Sequence, residues 1–70
     1  MDKLKDICQF IQDDDKNSDI MDCYQEYQDG ELDRNTLIEI CQNVLDAGRE
    51  DWMNDKSRDQ YVKFTKWLGI

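Results

Sequence analysis

Seventy residues carrying 17 acidic and 9 basic side chains give a formal net charge of −8, a balance that repels nucleic acid and anionic membranes and favours basic partners. Leu, Ile, Val and Phe make up about a fifth of the chain, just above the ~20% level below which a highly charged chain stays disordered, and three Tyr with two Trp favour a folded state. A chain this short hides only about 60% of the surface its unfolded form exposes, so residues 1–70 are expected to form one domain with a marginal core.

No proline occurs, and glycine stands only at 30, 48 and 69, so the helix ends are the informative positions. In "DKLKDICQFIQ", Leu4, Ile7, Cys8 and Ile11 follow the i, i+3, i+4, i+7 stripe of a helix. Asp2 is placed to cap its start, and Asp13–Asp15 should end it by opposing the C-terminal dipole. Asn17 or Ser18 is the expected N-cap of a second helix, "DIMDCYQEYQ". Its stripe is Ile20, Cys23, Tyr24 and Tyr27, and Gly30 supplies a left-handed closure. Asp33 caps a third helix, "RNTLIEICQNVLDA", with Leu37, Ile38, Ile40, Cys41, Val44 and Leu45 on a broad apolar face closed by Gly48. "REDWMNDK" reads as a connector with room for one helical turn. Ser57 and Gln60 have the spacing of a capping box ahead of a last helix that shares Tyr61, Phe64, Thr65 and Leu68 on one face. The expected architecture is all-α, a compact bundle of about four short helices.

Three cysteines, odd in number and without a CxxC pair, do not suggest a disulfide framework. No apolar run resembles a signal peptide or a membrane span, so a reduced, cytoplasmic setting is expected. Each cysteine falls on an apolar face, where a small buried hydrophobe is the expected role rather than a metal ligand. Histidine is absent, which removes Ser-His and Cys-His nucleophilic pairs and the usual zinc ligand. With no Gly-rich phosphate loop and little room for a shielded carboxylate pair, we expect no catalytic residue, cofactor or metal, and a binding protein rather than an enzyme.

The stretch "QDDDKNSDIMD" places Asp13, Asp15 and Asn17 at the first three ligand positions of a calcium-binding EF-hand loop. Position six is Ser18 where the turn wants glycine, and position twelve is Tyr24 where a bidentate carboxylate belongs. An acidic, well-capped turn is the better reading. Beyond it, Asp19, Asp22, Glu26 and Asp29 recur at three-, four- and three-residue intervals and fall in one narrow sector of the second helix. No lysine or arginine lies between Lys16 and Arg34. Repulsion within such a row costs a few tenths of a kcal/mol per pair. Two readings stand: a solvated acidic face, or a phosphate-like charge row that competes for a basic DNA-binding surface. On the second, Asp13, Asp14, Asp15, Asp19, Asp22, Glu26 and Asp29 bind the partner. Trp52 lies in a connector, where it either joins the core or stands exposed as an interface anchor; the same aromatic surface offers a homodimer contact.

"YQDGELDRNTLIEICQNVLDAG", with Trp52, Arg58 and the terminal "WLGI", resembles a family of very short phage-encoded proteins of uncharacterised function. The resemblance covers residues 20–70. It implies a phage origin, and with it the habit of small phage proteins of inhibiting host machinery, acidic ones by imitating DNA. Together these readings anticipate an inhibitor acting in the host cytoplasm on a basic nucleic-acid-binding protein such as a clamp, nuclease, restriction enzyme or CRISPR effector. The alternative is an interaction module or homodimer using an apolar or aromatic patch without DNA mimicry.

Overall fold

The computed structural model describes residues 3–70, and the cap expected at Asp2 lies outside them. Helix α1 (Lys3–Asp14) buries Leu4, Ile7, Cys8 and Ile11, as their spacing requires. It stops within the Asp13–Asp15 triplet, and no basic residue occupies its last turn. Gln12 organises the turn that follows. Its side-chain amide donates to the carbonyls of Asp15 at 3.2 Å and Lys16 at 3.3 Å and accepts from the Met21 amide at 3.5 Å. Asp19, not Asn17 or Ser18, takes the N-cap position of α2 (Ile20–Gln28) and makes no side-chain capping bond. Ser18 serves one step earlier, its hydroxyl accepting from the Ile20 amide at 3.2 Å.

Gly30 closes α2 with φ +82°. The Glu31 amide reaches the Glu26 carbonyl at 2.8 Å and the Gly30 amide reaches Tyr27 at 3.2 Å, the paired bonds of a Schellman closure. Asp33, in extended backbone, caps α3 (Arg34–Ala47) by accepting from the Asn35 amide at 3.2 Å. Gly48 closes α3 as its C-cap, as expected, and does so with an ordinary φ of −98°. A Cβ there would sit 3.0 Å from the Trp52 indole nitrogen, so glycine admits the indole. The connector contains a full turn, α4 (Arg49–Met53), before α5 (Arg58–Leu68). Ser57 stands at the N-cap of α5 without a side-chain capping bond, so its half of the expected capping box is missing; the chain is already turned by the Arg58 amide bonding to Asp55 at 3.1 Å.

The fold is all-α among the described residues, with four longer helices and the one-turn α4. α1 packs chiefly on α2 and also on α3, and α3 touches α2, α4 and α5. Tyr61, Phe64, Thr65 and Leu68 are buried as their spacing implies, whereas Cys23, Tyr27, Ile38 and Ile40 are half-buried and Val44 is exposed. Trp52 is 7% exposed, which removes it as an interface anchor. Its ring stacks on Phe10 at 4.7 Å and on Tyr61 at 5.8 Å, and Phe10 meets Phe64 edge-on at 5.1 Å. Two polar contacts tie α5 to α3: the Tyr61 hydroxyl donates to the Leu45 carbonyl at 2.9 Å, and the Gln42 amide donates to the Leu68 carbonyl at 2.6 Å. The radius of gyration is 11.5 Å, near the ~11 Å of a compact chain of this length. No helix among the described residues is long and apolar enough to cross a membrane.

Candidate partner-binding surface

The buried side of α2 is fixed by Ile20 and Tyr24, and this turns the acidic positions outward. Asp19, Asp22, Glu26 and Asp29 are all exposed, running from the N-cap to the C-cap of the helix. At 100° per residue they occupy a sector of about 80°, and at 1.5 Å rise the row spans about 15 Å. Among the described residues none of the four forms an ion pair; the Asp46–Arg49 pair at 3.3 Å lies on the α3–α4 side. Asp29 accepts from the Gln25 side chain at 3.2 Å, which holds its carboxylate along the helix. Arg34 approaches the end of α2, where it donates to the Tyr27 hydroxyl at 2.8 Å and lies 6.0 Å from that ring's centre.

Cys23 borders the row and registers its field. Burial pushes its thiol pKa up first, and the charges of Asp19, Glu26 and Asp22 push it further. The other two cysteines meet inside the core, with Cys8 and Cys41 sulfurs 3.8 Å apart. There the hydrogen bond with Cys8 lowers the Cys41 pKa, against the opposing effect of burial. No group of three or more His, Cys, Asp or Glu side chains among the described residues is arranged to hold a metal ion. The calcium-like frame is a tight turn in which Asp15 accepts from the Asn17 amide at 3.0 Å, and its twelfth position, Tyr24, is buried.

The upstream triplet lines depressions to which no residue of α2 contributes. Asp13, bonded by the Gln9 side chain at 2.8 Å, borders shallow depressions beside Phe10. Asp14 shares one of those depressions and, with Asp15, Asp51 and Asp55, also lines a larger cleft. The α2 row is therefore one unit, and Asp13, Asp14 and Asp15 belong to another. Sequence reasoning missed Asp51 and Asp55, whose four-residue spacing inside an acidic connector was the available signal. It also missed Trp67, the tryptophan that is open to solvent, at 43% exposure. No family model, curated protein or solved structure matches the chain.

Proposed function

We propose that the protein is a small acidic inhibitor of the phage type, binding a basic DNA-binding protein of a host cell by offering it a row of carboxylates in place of phosphates. The target class is a clamp, nuclease, restriction enzyme or CRISPR effector, and the activity is binding rather than catalysis. One observation carries this reading: Asp19, Asp22, Glu26 and Asp29 stand exposed along one side of an ordered helix, without ion pairs among the described residues. A mean spacing of about 5 Å along the axis approaches the 3.4 Å of charges along one DNA strand. A basic groove that gains affinity by neutralising phosphates gains from such a row in the same way. The resemblance of residues 20–70 to short phage proteins agrees with this class.

The test is affinity capture from a bacterial lysate at low and high salt, with elution by short duplex DNA. Basic nucleic-acid-binding proteins should be retained at low salt and released by salt or DNA. The variant D19K/D22K/E26K should lose them while keeping its helical circular dichroism. Retention that is indifferent to salt and survives the triple reversal would overturn the reading. A second reading, association through an apolar surface, is favoured by Trp67, which stands exposed near the end of α5. Trp67→Ala separates the two, since it should disrupt that mode and spare the electrostatic one.

A further inference from the structure

The cleft between the end of α1 and the α3–α4 junction has a volume of about 510 Å³, and carboxylates from two segments line it: Asp14 and Asp15 from the α1 end, Asp51 and Asp55 from α4 and the residues after it. Among the described residues none of these four forms an ion pair. Asp15 accepts a local amide bond from Asn17, and Asp55 one from Lys56 at 2.8 Å.

Carboxylates alone would describe only a solvated surface, but Trp52 adds a different kind of group. The residue is 93% buried, and its indole stacks with Phe10 and with Tyr61. The edge bearing the N–H lies against Gly48, and Gly48 and Trp52 both line the cleft. No acceptor for that N–H exists among the described residues. Every fully enclosed side-chain nitrogen or oxygen there has a partner, so this one is not fully enclosed, and it lies beside Gly48 on the lining of the cleft. A buried indole ordinarily finds an acceptor for its N–H. The site therefore offers one donor and anionic acceptors contributed by two separate segments of the chain.

We propose that this cleft receives an arginine side chain of a basic protein partner, the guanidinium lying between the Asp14–Asp15 and Asp51–Asp55 carboxylates and a neighbouring peptide carbonyl accepting from the Trp52 indole N–H. A guanidinium carries five donors in a planar fork and can serve carboxylates on two sides at once, which an ammonium's point charge does less well. The choice of a protein partner rests on the function proposed above, whereas the cleft's chemistry does not depend on the α2 row.

The test is a titration of the ¹⁵N-labelled protein with blocked arginine (N-acetyl-arginine-N-methylamide), following the two tryptophan indole N–H signals by NMR. The Trp52 signal should move downfield and saturate, while that of Trp67 stays in place. The blocked citrulline analogue keeps the shape and the carbonyls but loses the charge, and should bind about tenfold weaker, as expected for loss of a charge-assisted contact. The variant D51N/D55N should weaken arginine binding to a similar degree, its otherwise unchanged spectrum showing that the fold is intact. An unmoved Trp52 signal, or equal binding of citrulline, overturns the proposal. The variant D19N/D22N/E26Q separates the two readings: it should keep arginine binding at the cleft even where it loses the basic protein target.

Discussion

Gly48 shows how a single residue takes its meaning from a distant neighbour. Its backbone, at φ −98° and ψ 14°, suits any amino acid, and alanine in a helical setting would ordinarily gain up to about 1 kcal/mol. Here a Cβ would lie 3.0 Å from the Trp52 indole nitrogen and 3.1 Å from the adjacent ring carbon. Trp52 cannot yield freely because it is stacked with Phe10 and with Tyr61. Gly48→Ala should therefore destabilise the fold by about 1–2 kcal/mol, the usual cost of overpacking a fixed core, read as a lower urea midpoint at unchanged slope. A neutral or raised midpoint would mean that the ring stack gives way. Gly30 is the converse case, with open space around its missing Cβ but a φ of +82°, so the constraint there is the backbone itself.

At the scale of the element, α2 carries both its packing and its charge in nine residues. Ile20 and Tyr24 fix its orientation and the row follows on another side. Cys23 stands between them, half-buried, and serves as an internal probe of that row. Since its folded pKa lies above the unfolded one, protonation favours the folded state. That contribution is intact below the ordinary thiol value and is lost as pH rises through the folded one. Native alkylation by iodoacetamide should accordingly be slow at pH 8 and accelerate only at more alkaline pH. At low ionic strength, D19N/D22N/E26Q should speed the reaction at pH 8 severalfold, because the thiolate fraction rises when neighbouring negative charges are removed. An unchanged rate in that variant would mean that burial alone controls the thiol and that the row's field does not reach it.

For the molecule as a whole, the net charge of −8 on 70 residues works against compaction. α1 through α4 have no basic residue in their last turns, and only α5 places Lys66 there. Helix-end electrostatics thus offset little of the repulsion. Raising NaCl from about 0.01 M to about 0.5 M shortens the screening length from about 30 Å to a few ångströms. The urea midpoint should rise over that range if repulsion dominates; a fall would show that favourable ion pairs outweigh it. The same salt that steadies the fold should weaken binding to a basic partner, so the two effects have opposite signs in one protein.

Spacing and end signals made most of the helical framework legible. The apolar stripes of α1 and α5, the stop within Asp13–Asp15, the closure at Gly30 and the cap at Asp33 are local matters, settled by side chains within one turn of each other. The exposure of the α2 row also followed, because a helix that buries Ile20 and Tyr24 must turn Asp19, Asp22, Glu26 and Asp29 elsewhere. What tertiary contact decided was everything that depends on which helix lies alongside. It drew Trp52 out of an apparent connector into a stack with Phe10 and Tyr61, left Trp67 in solvent, brought Cys8 to Cys41, and set the Asp triplet apart from the α2 row. It also brought Asp14 and Asp15 to one cleft with Asp51, Asp55 and Trp52. Periodicity fixes the direction of a side chain relative to its own helix axis, but not the neighbour it will meet, because that depends on crossing angles set by the packed core.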